Sequence, residues 1–193
     1  NITYERENSP RITNFSEICY RINGQPLLLL EFGHYDPSVP TVYFVAAQHC
    51  NEPASVDSAY LMVRHFARGI PEEIDSILDE INLAILVMVN PDGRDNGTRG
   101  NTNGTDLNRD HMKLLEPEGK AMHRAFDSVH PSVTVDMHEF GGAGTVIFQV
   151  APSYNTATHH DVIFASYNLE TTVIDSLIEE GGIGRSTIYP PPT

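Results

Sequence analysis

The sequence predicts an α/β domain built around a largely buried sheet, and three observations predict it. Short, almost uninterrupted apolar runs at 27–32, 41–47 and 82–89 have the length of strands covered on both faces rather than the alternation of half-exposed ones. The stretch Pro53–Arg68 places Val56, Ala59, Tyr60, Val63 and Phe66 on one helical stripe, with Pro53 at its start. Strand, helix and strand then follow one another at the spacing of an α/β unit.

Taken in order, 13–21 is expected to form a short helix capped by Thr13 or Asn14, followed by the turn Asn23-Gly24-Gln25-Pro26. Strands are expected at 27–32 and 41–47, the second leading straight into Gln48 and His49. After the helix Pro53–Arg68, Gly69-Ile70-Pro71 breaks the chain, 72–78 suits one or two helical turns, and 82–89 returns to a strand. From 90 to 110 the composition turns to Asn, Asp, Gly, Thr and Arg, which reads as a long functional or disordered loop. Pro117–Val129 is expected to be a helix through Met122, Ala125, Phe126 and Val129, and Val133–Met137 a strand ending at His138. A further strand is expected at 145–151, and an amphipathic helix at 161–180 that stops at Gly181-Gly182. The 193 residues carry no internal repeat or interdomain linker, and their number favours one domain over 1–193.

Composition narrows the function. Twelve Lys+Arg against 26 Asp+Glu give a net charge of −14, which repels nucleic acid and anionic membrane surfaces. An anionic ligand therefore has to be held by a few local arginines. No apolar run approaches the roughly 18 residues that span a bilayer, and 1–11 lacks the apolar core of a signal peptide. A soluble protein is expected, cytoplasmic or else secreted or periplasmic after removal of a leader. The two cysteines, Cys19 and Cys50, exclude a disulfide framework. Cys50 sits beside His49 and reads as a small, semi-buried turn residue in preference to a metal ligand or reactive thiol.

His49-Cys50-Asn51-Glu52 puts an imidazole and a carboxylate three positions apart directly after a strand. Both are ligands for first-row metals, and a rigid strand end can aim them at one ion. His138 also follows an apolar strand and supplies a third donor, since α/β sheets collect their sites beyond the carboxyl ends of strands. Two histidines and a glutamate leave zinc one position for water, a catalytic arrangement. Asp136 lies on the same face of its strand as His138 and suits a partner that fixes an imidazole tautomer. The pair His159-His160 opens a helix, where neighbours diverge, and reads as surface.

With Asn90-Pro91-Asp92-Gly93, Arg99-x-Asn101 and Asp106-Leu107-Asn108-Arg109 lying in order between His49-x-x-Glu52 and His138, the sequence from about Leu27 onward resembles the zinc carboxypeptidase family. The resemblance implies a mixed central β-sheet flanked by helices on both faces. It also implies a Zn2+ cofactor bound by His49, Glu52 and His138, with Arg99 stabilising the oxyanion at the scissile carbonyl. Asn108 and Arg109 would hold the free C-terminal carboxylate of a peptide, and Tyr189 would cap the substrate. A guanidinium pairs a carboxylate bidentately, and a cation beside zinc stabilises developing negative charge, so the residue types suit these roles. Arg94 is the alternative for the oxyanion; the family's spacing to Asn101 favours Arg99.

Two departures keep other readings open. His49-x-Asn51-Glu52-Pro53 also resembles the aspartoacylase and succinylglutamate desuccinylase branch, so the substrate with its free carboxylate is a peptide or an N-acyl amino acid. The family's catalytic glutamate lies downstream of the third ligand, and this sequence offers none: Glu139 falls on the opposite pleat from His138, and Glu179 and Glu180 lie on the last helix. The expectation is a catalytic domain lacking its C-terminal part. A non-catalytic zinc- or peptide-binding module fits that absence as well.

Overall fold

The computed structural model describes residues 2–20, 26–34, 36–139, 148–150, 157–181 and 186–188. The chain divides into two compact units, 1–140 and 141–193. The first is a five-stranded mixed sheet. Its strands are β1 (Ile12–Tyr20), β2 (Pro26–Phe32), β3 (Thr41–Ala46), β4 (Asn82–Leu86) and β5 (Val133–Met137), in the order β1-β2-β4-β3-β5. β1 and β2, and β2 and β4, run antiparallel, whereas β3 is parallel to both β4 and β5. The mixed sheet implied by the family resemblance is therefore present, in an order that spacing along the chain did not indicate.

Alternation along each strand sends side chains into two cores. Leu30, Phe32, Ala46, Leu83 and Ile85 pack with Ala59, Val63 and Ala67 of α2 (Pro53–Arg68), Ile74 and Leu78 of α3 (Ile74–Glu80) and Ile2 of α1 (Ile2–Asn8). On the other face Leu27, Leu29, Tyr43, Val45, Ala84 and Leu86 meet Ala121, Met122, Ala125 and Val129 of α5 (Pro117–Val129). Short α4 (Pro91–Asn96) follows β4. All five positions of β4 are buried, as its unbroken apolar run requires.

The segment expected as a helix at 13–21 is strand β1. Its apolar residues Ile12, Phe15 and Ile18 recur every third position, which imitates a helix stripe, but register shifts between Ile12 and Asn14 and between Glu17 and Cys19 interrupt the pairing with β2. The first irregularity lets Ile12 and Phe15 face the same core despite their odd spacing, and Ile18 packs into the other core. The stretch 90–110 is also more ordered than the loop expected of it. It holds α4 and a 3-10 turn at Leu107–Arg109, each closed by a side-chain cap: Asn90 accepts from Gly93 N, and Asp106 from Asn108 N. β3 stops one residue earlier than expected, because Ala47 adopts φ 63° and turns the chain out of the sheet.

In the second unit β6 (Phe148–Val150) and β7 (Ser186–Ile188) pair in parallel, and α6 spans His160–Gly181. β6 falls inside the expected strand at 145–151, and α6 ends at Gly181 as its glycines predict. Tyr189, expected near the substrate, lies outside the described residues. Among the described residues no helix is long and apolar enough to cross a membrane.

Candidate metal centre

Because β3, β4 and β5 are mutually parallel, their carboxyl ends open on one edge of the sheet, and the segments leaving them meet there. The registers Val45↔Asp136 and Ala46↔Met137 bring the turn after β3 beside His138. Glu52 is held from its other side as the N-cap residue of the 16-residue helix α2. His49, Glu52 and His138 are thereby brought together, with ligating atoms all within 4.8 Å of one another.

Nδ1 of His49 lies 2.9 Å from Glu52 Oε1, and Nδ1 of His138 lies 2.9 Å from Glu52 Oε2. The far side of each ring is also occupied. His49 Nε2 is 2.9 Å from Asp106 Oδ1, and His138 Nε2 is 2.8 Å from Asp136 Oδ2. Asp136 thus takes the place expected of it, and Asp106 does the same work for His49. A neutral imidazole carries one N–H and can satisfy only one of its two carboxylates, so each Nδ1–Glu52 contact needs a cation: a second proton or a metal ion. With Nε2–H given to Asp106 and Asp136, both Nδ1 lone pairs and the Glu52 carboxylate form a two-nitrogen, one-oxygen donor set. That set suits zinc, and outer carboxylates are the usual braces of zinc-bound histidines.

Electrostatics agree. Burial disfavours the charged form of His138, yet Asp136 and Glu52 outweigh it and push the imidazole up to about 9. Burial also works against charged Glu52, but the N–H of Glu139, the hydrogen bond from His138 and the positive charge of both imidazoles hold its carboxyl below the usual glutamate value. For Asp106, burial is overcome by His49 and Arg99, and its carboxyl is likewise lowered.

Arg99 joins this cluster. Its Nη1 donates to Glu52 Oε1 at 3.1 Å and its Nε to Asp106 Oδ2 at 3.0 Å. Arg94, the alternative, lies on the exposed side of α4. Asn108 places Nδ2 3.2 Å from His138 Nε2, while Arg109 is exposed and turns Nη1 back onto the carbonyl of Asn108 at 2.9 Å. The carboxylate of Glu139 accepts from Ala54 N at the start of α2, and its own N–H donates to Glu52 Oε2. Cys50 is a free thiol, 4% exposed, that donates to the carbonyl of Asn90; burial pushes it up to about 11, so it is an inert turn residue as expected. His159 and His160 are exposed, in keeping with a surface role, though they group with Asp161.

Asp106 and Asn90 are the site residues for which sequence reasoning found no role. Asn90 is 1% exposed and fastens three segments, donating to the carbonyls of Gln48 and Arg99 and accepting from Gly93 N. Its signal was available locally, as an Asn before Pro at a helix start. Asp106 heads the motif Asp106-Leu107-Asn108-Arg109, but its partner His49 is 57 positions away and no local pattern pairs them.

Residues 3–164 match the family model described as zinc carboxypeptidase. The chain belongs to the zinc carboxypeptidase family. It is 32% identical over 127 residues to carboxypeptidase E of Caenorhabditis elegans, covering 56% of this chain and 27% of that one. To carboxypeptidase 2 of Trichophyton tonsurans it is 27% identical over 140 residues, covering 72% of this chain and 24% of that one. Among solved structures, a metallo-carboxypeptidase from Burkholderia cenocepacia matches 97% of this chain with a TM-score of 0.79 at 21% identity, over 51% of its own length. A metallo-carboxypeptidase from Pseudomonas aeruginosa, in complex with (2-guanidinoethylmercapto)succinic acid, matches 99% of this chain with a TM-score of 0.78 at 19% identity, over 51% of its length. The zinc carboxypeptidase fold is therefore shared, while the chain spans about a quarter of these sequence relatives and half of these structural ones.

Proposed function

We propose that this chain carries the metal-binding and carboxylate-binding side chains of a zinc-dependent hydrolase that removes C-terminal residues from peptides. The observation that carries the reading is the convergence of His49 Nδ1, Glu52 and His138 Nδ1, each imidazole braced by an outer carboxylate, with the Arg99 guanidinium on Glu52. Zinc bound by these three residues supplies a Lewis acid for the scissile carbonyl and a water of lowered pKa. In this reading Arg99 stabilises the negative charge that develops on the carbonyl oxygen. Asn108 and Arg109 select the terminal carboxylate, Arg109 through its bidentate fork and Asn108 through its amide beside His138. Tyr189 caps the substrate in this reading. The carboxylate-bearing ligand described with the Pseudomonas aeruginosa relative supports an acid-recognising site.

The test is binding and turnover by the zinc-loaded chain of three ligand classes: peptides with a free C-terminus, the same peptides amidated, and N-acyl amino acids. Preference for the free peptides is expected, with Arg109→Ala abolishing it. Equal handling of free and amidated peptides overturns the carboxylate role. Selectivity for N-acyl amino acids alone, the alternative suggested by Asn51, replaces the peptide substrate. Zinc and peptide binding without turnover leaves a binding module, since general-base assistance is worth roughly 10²–10⁴-fold.

A further inference from the structure

Gln48 immediately precedes His49 and is 2% exposed. Its side chain does not serve the metal centre. Its Oε1 lies 2.9 Å from Nε2 of His111, in the loop after the 3-10 turn. An amide oxygen only accepts, so the proton of a neutral His111 sits on Nε2 and Nδ1 presents a lone pair. That lone pair faces Nε2 of His123, on α5, at 3.3 Å. Both rings are partly buried and partly open to solvent.

We infer that His111 Nδ1 and His123 Nε2 form a second, auxiliary site for a nitrogen-preferring divalent transition ion of the zinc, nickel or copper class. The separation fits: two Zn–N bonds of about 2.0–2.1 Å meeting at a tetrahedral angle put their nitrogens about 3.3–3.4 Å apart. An N–H donor in a good hydrogen bond usually comes closer, about 2.7–3.2 Å from its acceptor. The bracing fits as well, because ligating histidines ordinarily give their other N–H to a carbonyl or carboxylate, as His111 does to Gln48. Burial and the neighbouring His123 hold His111 below its ordinary value against the pull of Asp136 and Asp110, so its lone pair is available at neutral pH. Those same two carboxylates favour a cation nearby. The two donors are nitrogens, a set that calcium and magnesium bind poorly. The gap in the coordination shell is filled by water from the open side.

The placement links this ion to the turn carrying His49. Gln48 holds His111 through its side chain, and its carbonyl accepts from Asn90 Nδ2 at 3.3 Å. An ion on the His111–His123 pair therefore anchors the residue just before His49.

The experiment is a titration of the metal-free chain with Zn2+ alone, and with Ni2+ alone, read by calorimetry together with the imidazole resonances in NMR. Two equivalents are expected, the second at least tenfold weaker than the first because it has two protein ligands instead of three. Resonances of His111 and His123 should shift only with the second equivalent. His123→Ala should weaken that equivalent at least tenfold and leave the first unchanged, whereas His49→Ala should remove the first and leave the second. Saturation at one equivalent overturns the inference without touching the primary centre. So does a second equivalent that survives His123→Ala, or one lost instead in the His159→Ala/His160→Ala double variant. The NMR shifts are read on the unsubstituted chain, so the inference stays open to refutation even where a variant fails to fold.

Discussion

The carboxylate of Asp106 lies 2.9 Å from Nε2 of His49, across the ring from the Nδ1 that faces Glu52. Asp106 also accepts from Nε of Arg99 at 3.0 Å and from the backbone of Asn108. One side chain thus orients a proposed ligand, the proposed oxyanion arginine and the proposed carboxylate-binding turn. Asp106→Ala is expected to lower zinc affinity about 10–100-fold, the usual cost of losing an outer partner of a ligating histidine. Competition with a chromophoric chelator measures this. An affinity within twofold of the unsubstituted chain would show that His49 needs no brace.

Zinc is expected to raise thermal stability. An ion that binds only the folded chain stabilises it by about 4 kcal/mol at a thousandfold excess over Kd. For a chain of this size that corresponds to roughly 8–16 °C in Tm. Scanning calorimetry with zinc and with a chelator reads the shift, and His49→Ala should abolish most of it. A full shift in that variant would place the stabilising ion elsewhere.

Much of this was legible in the sequence because the decisive patterns were local. Helices α2 and α5 and strand β5 begin and end where their apolar periodicity and prolines say. The segment His49–Glu52 leaves its strand with both donors on one turn. What was illegible depended on pairing at a distance. The irregular register of β1 spreads its apolar residues at helix-like intervals, and only its pairing with β2 reveals a strand. The helical turns at 91–96 and 107–109 are held by polar caps, with few buried apolar residues to give a period. Strand order was likewise unavailable, since it places β4 between β2 and β3, against chain order.

Acid is expected to weaken the packing of α1 on α2. Glu5 accepts from Arg68 Nη2 at 2.6 Å, and this hydrogen bond, opposed by burial, holds the carboxyl below its ordinary 4.5. A carboxyl lowered in the folded state contributes stability that is complete above its unfolded value and lost as pH falls through the folded one. Glu5→Gln should therefore be less stable than the unsubstituted chain near neutrality, and the gap should narrow below about pH 4.5. Thermal midpoints followed across pH for both proteins test this. A gap that stays constant into strong acid would assign Glu5 a role independent of its charge.

Gly93→Ala is expected to disturb Arg99 without touching any proposed metal ligand. A Cβ on Gly93 would sit 2.7 Å from Nδ2 of Asn90 and 2.7 Å from the carbonyl oxygen of Gly100, too close for either to remain in place. Asn90 is the residue that ties the carbonyl of Gln48 to that of Arg99, so its displacement loosens the turn carrying the arginine. The backbone oxygen of Gly100 cannot swing aside as a flexible side chain could, and overpacking of this kind costs about 1–3 kcal/mol. A lower denaturation midpoint at an unchanged m value reads the loss. Zinc affinity should fall less than in Asp106→Ala, because His49 and His138 keep their outer carboxylates, Asp106 and Asp136. An unchanged midpoint would mean that the 90–100 segment yields to the added methyl and that its tight packing does not hold Arg99 in place.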